Sequence, residues 1–450
     1  MSKQQTSLFG KKVAHITLGC KVNMYDTQAM AEILKSHGAH VIEFSERMSE
    51  TADIYIINTC TVTNSGDKKS RQAIRKAVKL NPKAVIVVCG CYSQVAPEGV
   101  SLIEGVDIIL GTKDRMKIAQ FIIEHLEGKE QKNFVKDLTD EFEFEELNIS
   151  ESGGNTRAYI KIQDGCENFC AYCIIPYARG PIRSRAKESI LAEAKRLAAE
   201  GVKEIVLAGI NVGNYGKEKN KFGSNLSEVL YELNNLVDIE RIRLGSIEPD
   251  AVSDKFLEAF RDCHKLCDHL HISLQSGSDN TLKAMGRHYD TKSYKSIVEN
   301  LRKIRPNIGI TTDIIVGFPG ESDADFMDSY NFVEHMEFSK VHVFPYSAKV
   351  GTKAALMDGQ IPATVKSNRA KTMGILAEEL SEKFARKFEH AKLRVLFEQQ
   401  MGNNVFEGHS SNYIVVRHYS ELDLTNRILE LTCVYDAEGR LLGSKNLTKL

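Results

Sequence analysis

Short apolar runs alternating with helical patterns set the fold of the first 130 residues. The runs are Val13–Leu18, Ile54–Ile57, Val85–Val88 and Ile108–Leu110, and helical periodicity fills roughly Thr27–His37, Lys68–Leu80 and Arg115–Glu127. Alternation of this kind predicts an α/β domain, a doubly wound parallel sheet with helices on both faces. In such sheets ligands gather beyond the carboxyl ends of the strands. Cys20, Cys60 and Cys91 each follow one of the first three runs by two to three residues. The three thiols are therefore expected on one rim, a placement that argues against three ordinary core cysteines. Spacing alone leaves open whether Cys91 or its near neighbour Cys89 is the third member.

A second group is compact: Cys166-Glu167-Asn168-Phe169-Cys170-Ala171-Tyr172-Cys173. Three thiolates at this C-x3-C-x2-C spacing can hold three irons of a [4Fe-4S] cluster and leave the fourth without a protein ligand. An open iron suits the amino and carboxylate groups of S-adenosylmethionine (SAM). Zinc instead favours four ligands and paired C-x2-C units. The spacing resembles the signature of the radical SAM superfamily.

The chain has 450 residues and a formal net charge of -1. That length predicts two to three domains, and any affinity for nucleic acid must come from local patches. Ten cysteines are too few for a disulfide framework of this size, and their clustering suggests ligation in a reducing compartment. The segment Met1-Ser2-Lys3-Gln4-Gln5-Thr6-Ser7 lacks an apolar signal core, and no apolar run approaches membrane-spanning length. A cytoplasmic protein without membrane contact is expected.

From Ala158 to about Val350 the alternation resumes, with strands expected at Ala158–Ile162, Glu204–Leu207, Arg241–Leu244, His269–Leu274, Gly309–Val316 and Lys340–Phe344. Six βα units predict a partial (βα)6 barrel whose chemistry belongs at the carboxyl rim of its strands. The cysteine triplet follows the first of them. Later strand ends carry polar and glycine signals suited to a nucleoside: Gly209 and Asn211, Ser246 and Glu248, Gln275 and Ser276, and the run Asp313–Glu321. A helical segment, Ala363–Phe388, precedes a β-rich tail with strands at Leu393–Glu398, Tyr413–Val416 and Leu429–Tyr435. The expected domains are thus 1–127, 158–362 and 389–450. Residues 128–157 form a linker bearing the acidic run Asp137–Glu146, and 363–388 a helical connection.

Two basic stretches are candidates for RNA contact. One is the helix after Cys60, with Lys68, Lys69, Arg71 and Arg75; the other follows the triplet, with Arg179, Arg183, Arg185 and Lys187. Tyr172 and Tyr177 could stack on a base. Cys263 and Cys267, near His264 and His269, and the lone Cys433 read as packing.

Leu18-Gly19-Cys20-Lys21-Val22-Asn23, Asn58-Thr59-Cys60-Thr61-Val62-Thr63 and Gly90-Cys91-Tyr92-Ser93-Gln94 join the triplet in a broader likeness. Over essentially the whole chain these segments resemble the methylthiotransferase family of radical SAM enzymes. Within it they resemble the branch that methylthiolates N6-threonylcarbamoyladenosine (t6A) in tRNA. The Lys21-Val22-Asn23 and Lys68–Arg75 segments favour that branch, whereas the branch acting on a ribosomal protein typically has proline where this chain has Lys21.

The resemblance implies two [4Fe-4S] clusters, one on Cys20, Cys60 and Cys91 (with Cys89 left to the core) and one on Cys166, Cys170 and Cys173. It places Ser246 and Glu248 in a ribose-contacting segment and Gly317-Phe318-Pro319-Gly320 near the adenine; Gln275, by its strand-end position, is a further candidate cofactor contact. The triplet cluster would cleave SAM to a 5′-deoxyadenosyl radical, the other would carry the sulfur, and a methylthio group would enter C2 of adenosine 37 in the anticodon loop. An electron donor such as flavodoxin or ferredoxin is implied, and no side-chain nucleophile or acid–base pair is required. The tail would be an RNA-gripping TRAM-like domain, although residues 389–450 hold seven Lys/Arg against eight Asp/Glu. Two other functions stay open: a sister enzyme acting on isopentenyl-adenosine or a ribosomal-protein aspartate, and a non-catalytic iron–sulfur protein.

Overall fold

The structure, a computed structural model, describes residues 8–44, 51–138, 143–149, 156–218, 223–436 and 441–444. Part of the acidic run Asp137–Glu146 lies outside them. The chain divides into two compact units. The first comprises Met1–Ser150, Gln163–Arg185 and Ser347–Ala355; the second comprises Glu151–Ile162, Ala186–Tyr346 and Leu356–Leu450.

In the first unit, β1 (Lys12–Thr17), β2 (His40–Glu43), β3 (Ile54–Thr59), β4 (Val85–Gly90) and β5 (Ile108–Ile109) form a parallel sheet ordered β2-β1-β3-β4-β5. β3 and β4 are buried along their whole length, as central strands covered on both faces must be. Alternate residues serve two cores. Val13, Ile54, Ile56 and Val87 pack with Leu34 and Ile118 on one face; Ala14, Tyr55, Ile57 and Val88 pack with Ile74 and Ala77 on the other. The sheet is thus doubly wound, as expected. β2 was not anticipated, because a four-residue edge strand with both ends exposed leaves little apolar pattern to read. Strand order reverses about β1, so the crevice at the carboxyl ends of β1 and β3 is the position where doubly wound sheets bind ligands. Cys20 and Cys60 stand at those two ends.

Two helices leave this rim. α1 (Lys21–Ser36) starts directly after Cys20 and buries Val22, Tyr25, Ala29, Met30 and Leu34. α2 (Asn64–Leu80) is capped by Thr63, whose hydroxyl accepts the Gly66 N–H at 3.1 Å, and it buries only Ser70, Ile74 and Ala77. That narrow stripe leaves its basic residues on the outer face. The same unit contains the triplet loop, closed at its base by an antiparallel ribbon of Gln163–Asp164 with Arg183–Ser184.

In the second unit β6 (Arg157–Lys161), β7 (Glu204–Ala208), β8 (Arg241–Leu244), β9 (Ser246–Ile247), β10 (His269–Ile272), β11 (Gly309–Val316) and β12 (Lys340–Pro345) are parallel. All six strands read from the sequence are present. They pair as two sheets, β8-β7-β6 and β9-β10-β11-β12, because the third strand breaks at Gly245. A 24-residue helix, Ala363–Arg386, then leads to a closed barrel. Its strands are β13 (Lys392–Gly402), β14 (Val405–Ser410), β15 (Val415–Tyr419), β16 (Ile428–Tyr435) and β17 (Leu441–Ser444). Val395, Phe397, Phe406, Val416, Leu431 and Cys433 fill the barrel. β14 and β17 escaped the sequence reading, β14 because Glu407 and His409 alternate with a single large apolar residue, Phe406.

Tyr413, in the left-handed conformation (φ 70°), lies between His269 and His409, its ring 4.7 Å from each. The Arg243 guanidinium sits 4.6 Å from the same ring and pairs with Glu204 at 2.7 Å. Glu204 and His269 open their strands, so Tyr413 seals the amino ends of the parallel strands.

Candidate functional site

The first cysteine set is built by three strand ends. Gly19 (φ 106°) lets the β1–α1 turn approach Cys60: a Cβ there would lie 2.9 Å from the Cys60 Cβ and 3.0 Å from its Sγ. Asn23, one turn into α1, locks the crossing by donating to the carbonyls of Leu18 (2.8 Å) and Thr59 (3.0 Å). Gly90 (φ 98°) ends β4 where a Cβ would meet the Asn58 Oδ1 at 2.4 Å and the Thr59 carbonyl at 2.6 Å, and Cys91 opens the next helix.

Burial pushes the Cys91 thiol up to about 11; Arg179 opposes the shift, and Cys20 and Cys60 add to it. The Cys60 thiol is also raised, first by burial and further by Cys20 and Asp67. The three sulfurs therefore act on one another, which is what a shared positive centre would relieve. Cys89 points the other way. It is fully buried in the apolar core, where desolvation drives its thiol to about 12.

The second set lies in the loop above the antiparallel ribbon. The Cys166 N–H donates to the Gly180 carbonyl at 3.0 Å, and the Cys173 N–H to that of Cys170 at 2.9 Å. Gly165 (φ 78°) allows the loop to close, since a Cβ there would stand 1.8 Å from the Pro181 carbonyl oxygen. Phe169 and Tyr177 flank the triplet edge to face at 5.7 Å and are 46% and 48% exposed. Tyr172 is partly buried.

None of the six cysteines is in a disulfide. Each set offers three sulfurs, and Gly19 leaves room beside Cys60 where a Cβ would crowd its Sγ at 3.0 Å; an all-sulfur donor set of this kind suits an iron–sulfur cluster.

A buried polar cage supports the first set. Arg179, fully buried, donates its Nε–H to the Cys91 sulfur at 3.3 Å and its Nη1 to Asp26 (3.0 Å) and Asp164 (3.1 Å); its Nη2 is bonded to Asn23 Oδ1. Arg115 pairs with the same Asp26 and, at 2.9 Å, with Glu145. Arg183 donates to the Arg179 carbonyl at 2.9 Å, and Arg185 to Glu146 (3.1 Å), Asn148 (2.6 Å) and the Tyr25 hydroxyl (3.1 Å). Arg179, Arg183 and Arg185 are therefore not the basic RNA-facing patch that the sequence suggested: all three are buried and spent on internal partners. The sequence reading gave no role to Asp26, Arg115 or Asp164, and met Asn23 only as part of a motif. Asp26 carried a signal, an acid on the apolar face of α1 between Val22 and Tyr25 and Ala29 and Met30.

The other basic stretch is presented as expected. Lys68, Lys69 and Arg75 are exposed on α2, while Arg71 reaches back to the Tyr92 hydroxyl at 3.2 Å.

The expected cofactor contacts lie at strand ends of the second unit. Ser246 is exposed and belongs to β9, paired with His271. Glu248 is bonded to Arg287. Gln275 holds a left-handed conformation (φ 71°), its N–H on the Asp313 carbonyl at 2.9 Å. Gly317 and Pro319 are buried. The Gly317 N–H donates to Glu321 at 2.8 Å, and Lys366 of the long helix packs where a Gly317 Cβ would be. Gly317 is thus covered by a side chain of the protein's own helix. On adjacent strands His271, Asp313 and His342 bring ligand atoms within 4.8 Å of one another; His271 is engaged with Thr311 (3.0 Å) and Asp313 (3.3 Å). Among the described residues no helix is long and apolar enough to cross a membrane.

Two family models match along the chain. Residues 160–333 match the model of the Radical SAM superfamily and residues 12–111 that of Uncharacterized protein family UPF0004. Threonylcarbamoyladenosine tRNA methylthiotransferase MtaB of Bacillus subtilis is 41% identical over 424 residues, 93% of either chain. Its namesake from Thermotoga maritima is 38% identical over 90% of either chain. A tRNA-2-methylthio-N(6)-dimethylallyladenosine synthase of Caldicellulosiruptor saccharolyticus is 37% identical over 89% of this chain and 85% of that protein. Among solved structures the radical S-adenosylmethionine methyltransferase TsrM from Kitasatospora setae shares the fold, with a TM-score of 0.57 over 74% of this chain and 73% of that one at 13% identity.

Proposed function

The chain belongs to the methylthiotransferase family of radical SAM enzymes, and on that premise we propose that it inserts a methylthio group at C2 of t6A at position 37 of tRNA. The observation that carries this reading is the gathering of two separate three-cysteine sets, Cys20/Cys60/Cys91 and Cys166/Cys170/Cys173, in one compact unit. Cys166, Cys170 and Cys173 would hold the cluster that serves SAM cleavage, and Cys20, Cys60 and Cys91 would hold a second one available to carry sulfur. When bound, the two [4Fe-4S] clusters and SAM supply the electron, the sulfur and the radical of the reaction.

The protein's own part is to hold and orient. Asn23 and Gly19 fix the approach of Cys20 to Cys60, and the antiparallel ribbon fixes the triplet loop. The exposed Lys68, Lys69 and Arg75 on α2 give a phosphate backbone a cationic face beside the Cys60 turn. Phe169 and Tyr177 offer a half-exposed aromatic corner beside the triplet on which a base can stack. Ser246, Glu248, Gln275, Gly317 and Pro319 remain the proposed cofactor contacts; for Glu248 this requires exchange of its Arg287 partner, and for Gly317 withdrawal of the Lys366 side chain that lies over it. The domains 1–127, 158–362 and 389–450, a cytoplasmic location and a flavodoxin- or ferredoxin-type electron donor complete the reading.

The t6A assignment is supported by the 41% and 38% identical relatives, and the 37% identical synthase names the competing substrate. Nucleoside mass spectrometry of tRNA from a strain lacking this gene separates them. Methylthio-t6A should vanish while t6A accumulates, and the wild-type gene should restore it. Loss of methylthio-isopentenyladenosine instead would transfer the chain to the sister activity.

A further inference from the structure

A guanidinium shut away from water is held by what it donates to, and Arg179 donates to four groups. Its Nη groups meet Asn23, Asp26 (3.0 Å) and Asp164 (3.1 Å), and its Nε–H meets the Cys91 sulfur at 3.3 Å. Asn23 and Asp26 lie in the first two turns of the helix that Cys20 begins, and Asp164 stands two residues before Cys166. Arg179 itself follows Cys173 in the short helix Ile175–Arg179, and the next carbonyl, Gly180, receives the Cys166 N–H. The guanidinium is thereby clamped by residues beside Cys20 and Cys166, with its Nε–H turned to a single sulfur.

Resting on the reading of the six cysteines as cluster ligands, we propose that Arg179 is a positioning residue for the Cys20/Cys60/Cys91 cluster. Its Nε–H on the Cys91 sulfur raises the reduction potential of that cluster and slows the loss of its iron. Reduction adds negative charge that spreads onto the ligand sulfurs, and an N–H aimed at one of them favours the reduced state. The planar fork matters as much as the charge. A lysine ammonium is a point donor that cannot meet two carboxylates, an amide oxygen and a sulfur in one plane.

The test uses the full chain carrying Cys166→Ala, Cys170→Ala and Cys173→Ala, reconstituted without oxygen so that only the cluster in question remains. Adding Arg179→Lys should move its midpoint potential, followed by electron paramagnetic resonance, to more negative values. Iron transfer to a chelator should become roughly tenfold faster, the scale on which outer partners of metal ligands act. A potential and a transfer rate equal to those of the parent overturn the inference. If the lysine variant holds no iron, the unsubstituted protein decides. Grown on 15N-arginine and reduced, it should show a 15N coupling at the cluster in pulsed spectra, and absence of that coupling overturns the inference. A triple-alanine parent that takes up no iron sinks the two-cluster reading itself, and the inference falls with it, so the two failures are distinguishable.

Discussion

The two cysteine sets solve one problem in opposite ways. Cys166, Cys170 and Cys173 occupy eight consecutive residues of a loop whose ends are tied by a two-by-two ribbon. Cys20, Cys60 and Cys91 come from the ends of three strands and meet only because β1, β3 and β4 lie side by side in a folded sheet. A local set depends on a turn; a distributed set depends on the whole domain. The distributed set accordingly has the more elaborate scaffold: two close-approach glycines, the Asn23 cross-ties and the cage of Arg115, Arg179, Asp26 and Asp164. Removing one partner of so buried an ion network costs about 3–5 kcal/mol, because the remaining charge is stranded.

The largest effect should come from deleting either set. Replacing Cys166, Cys170 and Cys173 by Ala should lower iron from about eight to about four per chain and abolish SAM cleavage. Replacing Cys20, Cys60 and Cys91 should cost the same iron but leave SAM cleavage intact and end methylthio transfer to t6A-containing tRNA. Equal loss of cleavage in both triple variants would erase the functional contrast between the sets.

A smaller effect separates their scaffolds. Gly90→Ala and Gly165→Ala each force a Cβ against backbone at a positive φ, and each should destabilise the fold by roughly 2–3 kcal/mol in denaturant unfolding. Iron analysis should nevertheless tell them apart. Gly90→Ala should empty the strand-built set and spare SAM cleavage, while Gly165→Ala should lose that cleavage first.

The smallest effect is one of pH and belongs to the strand-built side. His15 lies on β1 with its Nδ1 lacking a hydrogen-bond partner. Burial, the largest cause, holds its pKa below the ordinary 6.5, with Glu43 opposing and Lys35 adding to the shift. The unfolded chain therefore takes the proton more readily. The full contribution of His15 is present above about pH 6.5 and declines as pH falls through its lower folded value. Unfolding midpoints measured between pH 7.5 and 5.5 should fall for the wild type and fall less for His15→Phe. An identical slope in both would remove His15 as the cause.

What could be read from the sequence follows the same line between local and distributed. The triplet and the strand-end positions of Cys20, Cys60 and Cys91 were legible because each is written beside an apolar run or within one turn. The fate of Arg179, Arg183 and Arg185 was not, since their partners (Asp26 and Asp164 for Arg179, backbone carbonyls for Arg183, Glu146 and Asn148 for Arg185) are brought to them by the fold, and a count of charges along the chain cannot see it. That Lys68, Lys69 and Arg75 are exposed follows from an amphipathic helix, which announces its own outer face. The covering of Gly317 by Lys366, from a helix the sequence showed only as a connection, is again a matter of what folds over what.

Tyr413 has a practical consequence for anyone cutting this chain. Its ring closes the amino ends of strands that begin with Glu204 and His269, so the last sixty residues act as a stopper for the catalytic framework as well as an appendage to it. A truncation near residue 388 would uncork Arg243, Glu204 and His269 to water. Any drop in tRNA affinity or turnover would then report a leaking framework before it reported a missing RNA grip, and Tyr413→Ala in the intact chain is the cleaner way to weigh the two.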